Sequence, residues 1–261
     1  MKESVILCEG YHDRAFWAGW LEHLACTDPG KRPGKKGRGP VVDPWGVRVV
    51  AGHFGYHSKS GKFVRIFHCD GKKNVPREAR NRLKEEGDRL SKGATEPRLA
   101  RLILNVDADV NADGSPIKTG FKQHDLRSLV KEYDPSASES EEGDVLLFEG
   151  AVIVSLVRWE AGDGPAAGLP SQQTLERVVC AAVVAAYPKR GPAVHTWLES
   201  RPEGPAAGPK EFAWSHMAGW YADRACEGFY RRLWDDDKVV NELESRLRES
   251  GAWRIAEALA E

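Results

Sequence analysis

Hydrophobic positions change their period midway along the chain. In the first half, short apolar runs alternate with helical spacings. Residues 4–8 (SVILC) form a β-rich run, and from about Asp13 the residues Phe16, Trp17, Trp20, Leu21 and Leu24 recur at helical intervals. Residues 28–46 are punctuated by Gly and Pro and predict a loop. Residues 47–51 and 63–69 predict two strands joined through the turn SKSG. Residues 76–90 predict a charged helix with Pro at its start, 99–106 a strongly apolar strand, 122–133 a helix, and 145–157 one or two buried strands. The second half is helical in pattern, over 174–187, 193–200, 210–234, 238–249 and 253–260, with Gly/Pro/Ala-rich loops at 162–170 and 202–209. Strands alternating with helices, followed by a helical tail, predict an α/β sheet with a helical C-terminal extension.

Composition narrows the class. The 261 residues include nine Trp and 41% hydrophobic positions, which suits a packed core and excludes a disordered chain. No apolar run reaches the roughly 18 residues of a membrane span, and the opening MKESVILCEG lacks the apolar core of a secretory signal. Five scattered Cys without a CxxC pair predict reduced thiols and a cytoplasmic location. The net charge of −1 hides a split: residues 1–132 carry 25 basic and 17 acidic side chains, residues 133–261 carry 13 and 22. That asymmetry points toward a nucleic-acid partner.

The candidate chemistry lies where carboxylates follow strands. Glu9 follows the first run directly, and Asp13 stands four residues on, about one helical turn away. Asp107 and Asp109 close the most apolar strand, and strand alternation would put both side chains on one side. In open α/β sheets ligands bind beyond the carboxyl ends of the strands. Carboxylates converging there repel, and a hard cation such as Mg²⁺ or Mn²⁺ relieves that repulsion. The bland reading of either motif alone is loop punctuation. An EF-hand beginning at Asp109 fails, because its twelfth position is Gly120 where a bidentate Glu is needed.

VILCEGYHDRAFW resembles the first motif of Toprim domains, and LILNVDADVNADG resembles the second. The Glu9…Asp13 spacing looks most like the OLD (overcoming lysogenization defect) family nucleases and the small stand-alone proteins related to them. The resemblance covers about residues 4–160, although Glu9 and Asp107 are 98 apart, wider than in compact Toprim domains. A basic loop and hairpin at about 28–62 would account for the excess. No GxxxxGK[ST] is present, which excludes a full ATP-driven OLD protein. The resemblance implies a four-stranded, mostly parallel sheet flanked by helices within residues 1–165, with a helical region over 166–261 packing on it. It implies one or two Mg²⁺ or Mn²⁺ ions held by Glu9, Asp13, Asp107 and Asp109, with Asp163 or Glu160 as a further ligand. Glu176 could also point at that site, or be a solvated helix residue. The implied activity is a metal-dependent nuclease acting on DNA in preference to RNA, with Glu9 and Asp107 catalytic and Lys210 stabilising transition-state charge. Strand or nucleotidyl transfer is a second enzymatic alternative. The non-enzymatic one is a nucleic-acid-binding or regulatory Toprim subunit beside a partner ATPase or helicase.

Other features carry competing readings. Lys31, Arg32, Lys35, Lys36 and Arg38, with Lys72 and Lys73, could follow a phosphate backbone, or the loop could simply be solvated. The aromatic residues of 214–234 have helical spacing, which favours core packing over base stacking. His53, His57 and His68 with Cys69 match no zinc-ligand spacing, and a hairpin surface is the safer reading.

Overall fold

In the computed structural model, residues 2–31, 39–50, 52–201, 203–220 and 226–261 are described. They group into two compact units. One comprises Met1–Val106, Phe121–Val157 and Arg254–Glu261; the other comprises Asp107–Gly120 and Arg158–Trp253.

The first unit is built on a mixed seven-stranded sheet of order β2-β3-β1-β4-β7-β6-β5. Its strands are β1 (Glu3–Cys8), β2 (Phe54–His57), β3 (Phe63–His68), β4 (Leu99–Asp107), β5 (Ser138–Glu139), β6 (Val145–Leu147) and β7 (Val152–Trp159). The central trio β3-β1-β4 is parallel, and every residue of β1 is buried, as the unbroken apolar run requires of a strand covered on both faces. Helix α1 (Tyr11–His23) connects β1 toward the β2–β3 hairpin, α2 (Asn74–Ser91) connects β3 to β4, and α3 (Gln123–Lys131) follows β4. Val5 and Leu7 of β1 pack with Val75, Ala79 and Leu83 of α2 and Leu126, Leu129 and Val130 of α3 in one apolar cluster.

On α1, Trp17 and Trp20 are fully buried, with ring centroids 4.7 Å apart. Trp17 Nε1–H donates to Oδ1 of Asn105, a fully buried β4 residue, at 2.9 Å. The side-chain oxygen of that fully buried strand residue is therefore satisfied from the helix. Trp17→Phe keeps most of the volume and deletes the donor. It should lower unfolding free energy by about 1–3 kcal/mol, the cost of stranding a buried acceptor, read from urea denaturation.

Two expectations are corrected. The sheet has seven strands where four are implied, because a hairpin adds on one side and an antiparallel β5-β6-β7 meander on the other. The partner of β3 is Phe54–His57 and not 47–51. Residues 41–49 form a separate narrow ribbon through a Val42–Arg48 bridge, with Val41 and Val49 packed on Phe63 while Val42, Val47 and Val50 stay exposed. The helix expected over 210–234 is matched by helical residues on both sides of 221–225, in α6 (Pro209–Trp220) and α7 (Cys226–Arg232), with a 3-10 turn at Leu233–Asp235. Residues 221–225 lie outside the described residues. The apolar run 145–157 is two strands, parted by a turn at Phe148, Glu149 and Gly150, all with positive φ.

Neither outer strand presents a long free ladder. β5 has two residues, and β2 carries an antiparallel bridge from Thr27 to His57.

The second unit holds α4 (Leu175–Ala186), α5 (Arg190–Glu199), α6, α7 and α8 (Asp237–Glu249), and the chain ends in α9 (Ala252–Ala260). Segment 108–112 runs beside 171–173 through Ala108 N–H to Gln173 O (3.3 Å), Gln173 N–H to Val110 O (2.8 Å) and Ala112 N–H to Ser171 O (2.7 Å). Arg177, fully buried in α4, donates to the carbonyls of Asp163 (2.8 Å), Gly164 (2.6 Å) and Pro170. It thereby holds the Gly/Pro loop before α4 by its backbone.

Candidate carboxylate site

The topology explains why strand ends matter here. The connection from β1 leads to β3 on one side of it, and the connection from β3 leads to β4 on the other. The two crossovers therefore diverge beside β1, and it is at such switch points, beyond the carboxyl ends of the strands, that open α/β sheets bind ligands. The register Cys8–Asn105 sets those ends level; Glu9 follows Cys8 immediately, and Asp107 is the last residue of β4.

In the first unit, Glu9 is half-buried and its carbonyl accepts from Gly71 N–H at 2.7 Å, which ties the β1–α1 turn to the loop after β3. Gly10 is extended, and its N–H donates to Asp13 Oδ2 at 3.1 Å. Asp13 is buried and occupies the third position of α1, so its carboxylate closes the helix entry as well as suiting the dipole. Burial, and then the neighbouring Asp13, push the Cys8 thiol well up.

In the second unit, Asp107 Oδ1 accepts from Leu175 N–H, the first residue of α4, at 3.3 Å. Asp109 departs from expectation. Strand alternation stops at Asp107, and Asp109 has φ +57°, so the two side chains do not share a strand face. The Asp109 carbonyl accepts from Ile117 (2.9 Å) and Lys118 (3.4 Å), closing the loop that follows. Glu176 is buried in the first turn of α4.

The remaining acids are engaged otherwise. Asp163 pairs with Arg246 at 3.1 Å, and exposed Glu160 lies 3.8 Å from Arg158. Lys210 is exposed in the first turn of α6. Lys31 is exposed and 3.8 Å from Glu22, Lys72 is half-buried, and Lys73 is the exposed residue before α2. Arg32, Lys35, Lys36 and Arg38 lie outside the described residues. Phe229, Tyr230 and Trp234 are core residues, as helical spacing predicts, whereas Trp214 is 57% exposed.

The carboxylates offer only oxygen, which matches a hard cation. Among the described residues no group of three or more His, Cys, Asp and Glu side chains is assembled to hold a metal ion in this conformation. Sequence reasoning missed the backbone bonds of Asp13 and Asp107 and the loop-holding role of Arg177. The residue before Asp13's own turn, Gly10, was the available signal for the first; nothing local marks the other two.

No protein-family model matches the chain, and no curated protein matches it. Among solved structures, a hypothetical protein from Pyrococcus horikoshii OT3 is similar in fold, with a TM-score of 0.66 and 17% identity over 100% of both chains.

Proposed function

We propose that the protein is a Mg²⁺- or Mn²⁺-dependent enzyme that cleaves phosphodiester bonds in nucleic acid. One observation carries the reading: two acidic motifs leave adjacent, parallel strands at the same end of the sheet, on either side of its topological switch point. Glu9 and Asp13 would hold one ion in the first unit, and Asp107 with Asp109 another in the second. A bound ion of this class supplies charge neutralisation and an acidified water. The chain contributes orientation. Gly10 N–H fixes the Asp13 carboxylate, and Leu175 N–H fixes that of Asp107, each at a helix N-terminus where negative charge is favoured. Lys31, Lys72 and Lys73 supply cations for a phosphate backbone on the same unit as Glu9.

Mn²⁺ titration by calorimetry, followed by an assay on single- and double-stranded DNA and RNA, tests this. Binding of one or two ions with metal-dependent cleavage is expected. Binding without cleavage of any substrate would turn the reading to a regulatory subunit, and absence of binding would remove it.

A further inference from the structure

We propose that Arg14, His53 and His68 form a receptor for a phosphate monoester at the carboxyl end of β1 and β3. The proposal goes beyond the carboxylate reading and stands within the first unit alone.

Arg14 is the unusual group. It lies in the first turns of α1 and is only 5% exposed. Its guanidinium is held between two rings, with the Tyr11 centroid at 4.5 Å and the Phe54 centroid at 4.4 Å. Nη1 donates to the carbonyl of Gly52. Nε is buried and has no acceptor, and among the described residues no carboxylate forms an ion pair with Arg14. Asp13, its neighbour in sequence, accepts from Gly10 N–H. A charge held this far from water normally has a counter-charge, because desolvation otherwise costs several kcal/mol. The rings offset part of that cost.

His68 lies beside the same guanidinium. It ends β3 in register with Cys8, and a methyl group on Gly52 would stand 3.7 Å from both Arg14 Nη1 and His68 Cε1. His68 Nδ1 is buried and without a hydrogen-bond partner. The His53 ring lies 6.3 Å from that of His68, at 70° to it. Burial, and then the positive groups His68, Arg65, Arg82 and Arg14, push the His53 imidazole down to about 4. Of these cations Arg65 is paired with Glu3 and Asp43, and Arg82 with Glu78, so it is the Arg14 charge that an anion would meet. A phosphate monoester supplies acceptor oxygens for an Arg edge and an imidazole N–H together, with negative charge opposite the guanidinium. Tyr11, whose ring covers the guanidinium, is 43% exposed and is the solvent-facing one of the two rings.

The test uses the full chain in EDTA, so that the carboxylates hold no metal. Calorimetry and imidazole NMR shifts are read with inorganic phosphate, with a 5′-phosphorylated oligonucleotide and with its 5′-hydroxyl counterpart. His53 and His68 resonances should move with phosphate, and the 5′-phosphate should bind about tenfold more tightly than the hydroxyl, the worth of one charge-assisted hydrogen bond. Equal binding of the two oligonucleotides, with His68 still responding to inorganic phosphate, would identify a small phosphate ester as the source. Arg14→Gln should abolish the response. His68→Gln, whose Nδ1 supports nothing in the fold, should weaken it severalfold at unchanged Tm. The proposal is overturned if folded wild type responds to neither phosphate source, or if folded His68→Gln binds as wild type does. Phosphate binding that survives when Mn²⁺ binding fails would separate this site from the carboxylate reading.

Discussion

Asp107→Asn should abolish metal-dependent phosphodiester cleavage, by about a thousandfold or more, while leaving the melting temperature nearly unchanged. The exchange is chosen for what it keeps. Oδ1 of Asn still accepts from Leu175 N–H, so the bond that closes the start of α4 survives. What disappears is the negative charge, and losing a ligand that positions a metal removes several kcal/mol of transition-state stabilisation. Asp107→Ala removes both functions and should add about 1 kcal/mol of destabilisation. Turnover and urea midpoints of the two variants therefore separate the roles. Full activity in Asp107→Asn would mean that this carboxylate serves α4 alone.

The second large effect falls on stability. Gly168→Ala should destabilise the second unit by about 3 kcal/mol or more. Gly168 has φ +77°, and a Cβ there would stand 2.4 Å from the Gly191 carbonyl oxygen and 2.5 Å from its Cα. Both obstacles are backbone, so no side chain can move aside. The loop itself is held: His216 Nε2–H donates to the Gly168 carbonyl at 3.0 Å, and Arg177 binds three carbonyls of the same loop. Gly150→Ala is the comparison. Its φ is +83° with nothing within 4 Å, so it should show only the conformational cost, about 1–2 kcal/mol. Similar urea midpoints for the two variants would show that the close approach to Gly191 is not maintained.

What could be read from sequence divides along physical lines. The fully buried strands β1 and β4 are legible because a strand covered on both faces needs an unbroken apolar run. The helices α3, α4 and α8 follow from their period. The choice of β2 is not legible: VRVV has stronger local β character than FGYH, yet Gly55 wins. A Cβ at that position would stand 2.6 Å from the Phe63 ring, so the aromatic residue of the partner strand packs over a bare backbone. The turn inside 145–157 is likewise hidden, since Phe148 and Glu149 in the left-handed region carry no turn signal. At the candidate site, the position of each acid beside a strand end is legible. The hand of Asp109 and the bond from Leu175 to Asp107, across 68 residues, are not, because both depend on tertiary pairing that no local period encodes. Arg14 and His68 are read together only through Gly52, 38 residues from the one.

The short outer strands have a bearing on how the protein behaves at high concentration. An exposed, extended β-margin is a template on which a second chain can add. Here one margin is two residues long and the other is already occupied by a bridge from Thr27. Chain geometry thus leaves little strand length on which a second copy could add, which matters because a net charge of −1 contributes little colloidal repulsion.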